Sequence, residues 1–228
     1  MRVAIVTGAA SGIGRACAQR FAAEGFRVAS FDLVAADIDG GLSIAVDITD
    51  RDAVTDAARR VVAELGAPSA LLNVAGVYPP TTLETTTVEL YRRTFDVNVL
   101  GTILVAQAVA PHMPAGGAIV NLASIDAFVP SRGQLVYCAS KAAVVALTRS
   151  LALELAPRVR VNAIAPGWVD TPGNRATGRM EAALASVPLG RAASPDEIAD
   201  LAWFLAGEGR ATYVTGETIV ATGGSAFR

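Results

Sequence analysis

Three side chains in this sequence can work together on a proton: the Ser124 hydroxyl, the Tyr137 phenol and the Lys141 ammonium. Tyr137 and Lys141 stand four positions apart, so on one helix they share a face. A cation beside a phenol favours the phenolate and pulls its pKa down from about 10. A tyrosine tuned that way serves as a general acid/base near neutral pH. Ser124 lies thirteen residues upstream, at the end of a separate predicted strand, where it can hydrogen-bond the same substrate oxygen.

A second set of residues could hold a hydride carrier. Val3–Val6 is a short apolar run suited to a strand buried on both faces. T-G-A-A-S-G-I-G follows from Thr7 to Gly14, and then a helix with apolar Cys17, Ala18, Phe21 and Ala22, ended by Gly25. Arg27–Phe31 is a second strand closing on Asp32. Strand, glycine loop, helix, strand and acid is the layout of a dinucleotide-binding half-fold. Gly8 permits the turn off the strand, while Gly12 and Gly14 let backbone amides and the helix N-terminus approach a pyrophosphate. The spacing is G-x3-G-x-G, not the commoner G-x-G-x-x-G. Asp32 can accept hydrogen bonds from ribose hydroxyls and would repel a 2′-phosphate. Leu33 is apolar, and Ser11 stands where an arginine could have gripped that phosphate. Both favour NAD over NADP.

A chain of 228 residues with 52% hydrophobic and 18% charged residues supports a sizeable core. A net charge of −2 without a basic block gives nucleic acid no electrostatic reason to bind. One histidine (His112) and two isolated cysteines (Cys17, Cys138) make neither a zinc site nor a disulfide framework. A reducing, cytoplasmic setting is the simpler expectation, and no signal-peptide pattern precedes the first strand. Residues 97–125 carry no Asp, Glu, Lys or Arg, but Pro111, Pro114, Gly116 and Gly117 divide them into helix and strand. That reads as buried core, not as a membrane span.

The remaining elements repeat the strand–helix alternation. After Asp32 only nine residues precede the third strand, Leu42–Val46, so the link must be a tight loop or a single turn. Asp50 caps a helix with Val54, Ala57, Val61 and Leu65, and Asp47 before it faces the adenine or serves the cap. Ala70–Asn73 is a strand running into N-V-A-G, where Asn73, Ala75 and Gly76 occupy the expected reversal of strand order. Residues 87–109 read as one long helix containing Asn98, a poor helix former that needs a specific partner when buried. Ala118–Ala123 delivers Ser124, Leu135–Leu155 carries Tyr137 and Lys141, and Val159–Ala165 stops at Pro166-Gly167. Residues 168–191 read as a compact, loop-like substrate lid. Ser194-Pro195-Asp196-Glu197 starts another helix, and Thr218–Ala221 is the last strand. The fold expected is α/β: a single-domain, Rossmann-like doubly wound parallel sheet of about seven strands, with helices on both faces.

In its full length the chain resembles a classical short-chain dehydrogenase/reductase (SDR). The motifs that carry the resemblance are T-G-A-A-S-G-I-G, N-V-A-G, Asn98, Ser124, Y-C-A-S-K (Tyr137–Lys141) and P-G-W-V-D-T (Pro166–Thr171). The resemblance implies that Tyr137 is the acid/base, that Lys141 lowers its pKa and holds the nicotinamide ribose, and that Ser124 orients the substrate. It implies that Asn98 holds a water linking Lys141 to solvent, and that Val169 and Thr171 contact the nicotinamide. Ser11, Ile13, Leu33, Asp47, Ile48, Pro166 and Gly167 complete the NAD contacts it implies, and a homotetramer is the assembly it implies. Val74 departs from the usual second asparagine, and A-T-G-G (Ala221–Gly224) lacks the usual acid, a change expected to touch the tail and not the chemistry.

Carbonyl–alcohol interconversion on a small-molecule substrate is the reaction expected. Ile125, Ala127, Phe128, Tyr78 and Trp168 suit a small secondary alcohol or dihydrodiol, and Asp126 can read a second hydroxyl. The rival is a 3-oxoacyl-acyl-carrier-protein reductase, for which Arg132 and Arg158 could meet an acidic carrier. A catalytically silent NAD-binding regulator would be expected to lack Ser124, Tyr137 or Lys141.

Overall fold

Val3, Ala4, Ile5 and Val6 are wholly buried, and their alternation builds both cores of the protein. They form β1 (Arg2–Thr7), the inner strand of a parallel sheet in the computed structural model, which describes residues 2–36, 38 and 40–226. The other strands are β2 (Phe26–Asp32), β3 (Leu42–Ala45), β4 (Pro68–Asn73), β5 (Gly117–Leu122), β6 (Val159–Pro166) and β7 (Thr218–Ala221). Their order is β3-β2-β1-β4-β5-β6-β7, and every pairing is parallel.

The helices are α1 (Gly12–Ala23), α2 (Arg51–Glu64), α3 (Val88–Phe95), α4 (Thr102–Val109), α5 (Leu135–Leu155), the short α6 (Pro172–Ala176) and α7 (Met180–Leu184), and α8 (Pro195–Ala206). Val3 and Ile5 pack in one layer with Val54 and Val61 of α2 and Val105 and Val109 of α4. Ala4 and Val6 pack in the other with Phe21 of α1 and Ile198 and Trp203 of α8. This is the doubly wound architecture expected. Strand order reverses at the β1–β4 boundary, so the connections lead off in opposite directions there and leave a crevice at the strand C-termini.

Local chemistry sets several boundaries. Asp50 caps α2 by accepting from the Asp52 and Ala53 N–H groups, both at 3.0 Å. Ser194 and Glu197 form a reciprocal capping box on α8, with Pro195 in its first turn. α5 has the bounds its sequence pattern predicts. Between β2 and β3 no helix occurs among the described residues, and a turn closes with Gly41 N–H on the Ile38 carbonyl at 3.0 Å. Asp37 and Asp39 lie outside the described residues.

Two elements differ from expectation. The helix expected over 87–109 is interrupted by a π-helical segment, Asp96–Gly101, between α3 and α4. The interruption surrounds Asn98, whose side chain is committed to groups outside its own helix. The segment 168–191 is not all loop: α6 and α7 lie within it, and Val169 bridges to Ala193 at its base.

Two helices are long and apolar enough to cross a membrane, Val88–His112 and Leu135–Leu155, with 50% and 44% of their most apolar windows buried. Both flank the sheet, which accounts for their apolar faces.

Phe21, Phe26 and Trp203 lock α1, β2 and α8 together, with ring centroids 5.2, 5.3 and 5.7 Å apart in edge-to-face pairs. Phe21 is completely buried. Phe21→Ala is expected to lower unfolding stability by about 3–5 kcal/mol, read as a lower denaturation midpoint with an unchanged slope.

Candidate active site

A cleft of about 870 Å³ opens along the C-terminal ends of the parallel strands. Its walls include the glycine loop, Asp32, Asp47, Ile48, Ala75, Gly76, Ser124, Tyr137, Lys141 and the residues 166–169. Widely separated segments meet there because parallel strands all present the same end to one edge.

Glycine is required where β1 passes into α1. A Cβ on Gly14 would overlap the Gly8 carbonyl, so the first turn of α1 sits directly on the loop. Gly12 faces the Thr171 methyl group, which brings the loop against the segment after β6. Thr171 also caps α6, its hydroxyl accepting from Asn174 N–H at 3.2 Å. Asp32 is tied to the same loop: one carboxylate oxygen accepts from Ala10 N–H at 2.9 Å. Leu33 beside it is 71% exposed. Asp47 accepts from the Thr49 N–H and hydroxyl at 2.9 and 2.7 Å, which fixes its carboxylate at the cleft rim.

Thr7 and Ser140 organise the site, although no role was expected of either. The buried Thr7 hydroxyl accepts from Val74 N–H at 2.9 Å and Ala75 N–H at 3.0 Å, pinning the N-V-A-G turn to β1. Ser140 accepts from the Asn98 amide at 2.9 Å and donates to the Tyr137 carbonyl at 2.8 Å. A hydroxyl at the threshold of the glycine loop and one inside Y-C-A-S-K were the available signals.

Asn73 and Asn98 are not wall residues of the cleft. Asn73 donates to Asn121 at 3.0 Å, and Asn121 in turn donates to Thr148 at 3.0 Å, which crosses the sheet to α5. The Asn98 oxygen accepts from Val77 N–H at 2.8 Å, and its nitrogen donates to the Val77 carbonyl at 2.9 Å. The Asn98 amide therefore holds the turn after β4, with both its oxygen and its nitrogen engaged.

Ser124, Tyr137 and Lys141 come together on the cleft floor. Ser124 accepts from Asp126 N–H at 3.1 Å. Lys141 donates to the Leu122 carbonyl at 2.6 Å, and its ammonium is 5.8 Å from the centre of the Tyr137 ring. Lys141 is not among the groups that shift the Tyr137 phenol in this structure. Burial pushes the Tyr137 phenol well above its ordinary value, the Ser124 hydrogen bond pulls back, and the charges of Asp126, Tyr78 and Cys138 push further up. Burial also lowers the Lys141 ammonium from 10.5 to about 8. Desolvation penalises both charged forms here, and the ammonium is aimed at a backbone carbonyl.

Comparison with known proteins agrees with this geometry. A family model described as enoyl-(acyl carrier protein) reductase matches residues 8–226. D-threitol dehydrogenase of Mycolicibacterium smegmatis is 41% identical, covering 98% of this chain and 92% of its own. The 3-oxoacyl-[acyl-carrier-protein] reductase of Thermotoga maritima is 38% identical, covering 98% and 97%. The aldohexose dehydrogenase structure from Thermoplasma acidophilum superposes with a TM-score of 0.96 at 32% identity, covering 100% and 94%. The chain belongs to the short-chain dehydrogenase/reductase family. It is an oxidoreductase of a family that binds nicotinamide cofactors and acts on small molecules.

Lys141 binds its proton less tightly folded than unfolded, so between about pH 8 and about 10.5 the unfolded chain holds the extra proton. Stability contributed through Lys141 therefore rises with pH across that window. The raised Tyr137 phenol acts oppositely, but only above about pH 10. Melting temperature is expected to gain with pH between about 8 and about 9.5 relative to Lys141→Met. Equal slopes in the two proteins would refute the shift.

Proposed function

We propose that the chain is an NAD(H)-dependent oxidoreductase that interconverts a secondary alcohol and a ketone, with Tyr137 as general acid/base. The observation that carries this reading is the convergence of Ser124, Tyr137 and Lys141 on one cleft, with the Lys141 ammonium 5.8 Å from the centre of the Tyr137 ring. The cleft fits a dinucleotide at the places where side chains are excluded. Gly8, Gly12 and Gly14 line the cleft at the start of α1, where a pyrophosphate would sit. Asp32 would hold the adenosine ribose, and Val169 and Thr171 would face the nicotinamide.

When bound, the nicotinamide supplies or accepts the hydride. The protein's work is on the proton. Ser124 holds the substrate oxygen, and Tyr137 donates its proton to that oxygen in reduction or takes it in oxidation. The high phenol pKa produced by burial suits the donor role, and a cation nearer the hydroxyl would be needed to favour the phenolate. Lys141 is the side chain able to supply it, and lining the same cleft it would also hold the nicotinamide ribose.

Small alcohols and diols are the favoured substrates, in keeping with the D-threitol and aldohexose dehydrogenases it resembles. A second reading, reduction of a 3-oxoacyl group on an acidic carrier, is favoured by the Thermotoga relative. Its arginines are not equally available. Arg158 donates to the Ala110 and Met113 carbonyls at 2.9 and 2.7 Å, which leaves Arg132 to meet a carrier. Leu153 is 83% exposed and Leu135 is 49% exposed on α5, surfaces that a homotetramer would cover.

Tyr137→Phe is expected to lower turnover of any accepted alcohol by about 10²–10⁴-fold while NADH affinity is unchanged. Surviving turnover would remove Tyr137 from the mechanism. Asp32→Ser is expected to shift the NAD-to-NADP ratio of kcat/KM toward NADP by about tenfold or more, the factor set by about 1.4 kcal/mol of relieved repulsion. A coupled absorbance assay over secondary alcohols, diols and 3-oxoacyl thioesters separates the two substrate readings.

A further inference from the structure

Beyond the proton-transfer residues, the cleft holds an acid and a base that do not neutralise each other. Asp126 lies two residues past Ser124, and its backbone N–H is bonded to the Ser124 hydroxyl. Its carboxylate accepts from the Ser131 hydroxyl at 2.6 Å. Arg179 comes from the other side, between α6 and α7. Its guanidinium lies 5.9 Å from the Trp168 ring centre. In the orientation that hydrogen bonding requires of the Gln134 amide, the amide oxygen accepts from both terminal nitrogens of Arg179, at 2.6 and 3.1 Å. Gln134 is only 2% exposed, so the guanidinium is anchored on a buried polar group.

Asp126, Ser131, Gln134, Trp168 and Arg179 all line the cleft that contains Ser124 and Tyr137. Among the described residues neither Asp126 nor Arg179 has an opposite charge within 4.0 Å. The neighbouring arginines are paired: Arg175 with Asp170 at 2.5 Å, and Arg191 with Glu197 at 2.7 Å. Arg179 still acts on Asp126 through space, lowering a carboxyl that burial raises.

A carboxylate only accepts hydrogen bonds and a guanidinium only donates them. A ligand that satisfies both must do both, and a hydroxyl does. Asp126 is half-buried and Arg179 exposed at the cleft, and a substrate with one oxygen at the reacting carbon makes use of neither group's remaining hydrogen-bonding capacity. A substrate carboxylate would answer Arg179 but face Asp126. A neutral molecule with further hydroxyls answers both.

We propose that Asp126 and Arg179 form a specificity pair that selects a neutral diol or polyol, Asp126 accepting from and Arg179 donating to the hydroxyls that do not react. This rests on the alcohol–ketone reading of the site and narrows its substrate class.

The test separates binding from turnover. In a Tyr137→Phe background saturated with NAD, dissociation constants are measured by Trp168 fluorescence for butane-2,3-diol, butan-2-ol and 3-hydroxybutanoate. The diol is expected to bind at least about tenfold more tightly than either of the others. Asp126→Asn and Arg179→Met are each expected to erase most of that ratio, with Arg179→Lys restoring part of it. Equal binding of butan-2-ol, tighter binding of 3-hydroxybutanoate, a ratio indifferent to both substitutions, or no diol binding would overturn the proposal. Failure of the alcohol–ketone reading shows separately, as no NAD- or NADP-linked turnover of any alcohol by the unsubstituted protein.

Discussion

The Asn98 amide ties together the three elements on which the site depends. It holds both backbone groups of Val77, which fixes the turn after β4. It also bonds Ser140, whose hydroxyl reaches the Tyr137 carbonyl and sets the first turn of α5. A regular helix through 87–109 carries each side chain in a fixed rotation, whereas a π segment inserts an extra residue and changes that rotation. The helix gives up regular hydrogen bonding around Asn98 where the amide makes three bonds elsewhere. A buried, fully engaged amide of this kind holds its neighbours at defined distances. The positions of Tyr137 and of the turn at Gly76 are thereby coupled through one side chain.

Around that anchor the dominant electrostatic force is desolvation. The Tyr137 phenol rises and the Lys141 ammonium falls for the same reason: each loses water in its charged form. The lysine's attraction for a phenolate is a Coulomb effect that depends on where the ammonium points. Here it points at the Leu122 carbonyl, at the end of β5. The same strand end leads into Ser124, so the hydroxyl and the ammonium are positioned by one short stretch of backbone.

Much of this was legible in the chain, and the limits have physical causes. The strand runs were readable because both faces of a parallel sheet are apolar, as Val3–Val6 shows. Asp50 and Ser194 were readable as caps because capping is chemistry within four residues. The Tyr137–Lys141 spacing was readable because α5 is regular. The π segment was not, because its cause lies in Val77 and Ser140, distant in sequence from Asn98. The burial around Tyr137 was not, because burial belongs to the fold and not to the spacing. Arg179 was passed over because a loop arginine reads as solvated, and its bonds to the buried Gln134 amide join residues 45 positions apart in the chain.

The segment 168–191 shows how the tail can reach the site. α6 and α7 have five residues each, too short to persist alone in water. Their order must come from contacts. Val187 is buried, and Leu189 N–H donates to the Gly223 carbonyl at 3.1 Å. Gly223 and Gly224 have φ of +63° and +88°, a conformation costly for other residues, and there they pass under Val187 and Pro188. The tail beyond them brings Ser225 and Ala226 to the cleft wall. The A-T-G-G tail was expected to stand apart from the chemistry, but it supports the segment that carries Arg179. A small change in the tail would thus be felt first in residues 187–189 and the segment they close, while Ser124, Tyr137 and Lys141 are held by the sheet and α5.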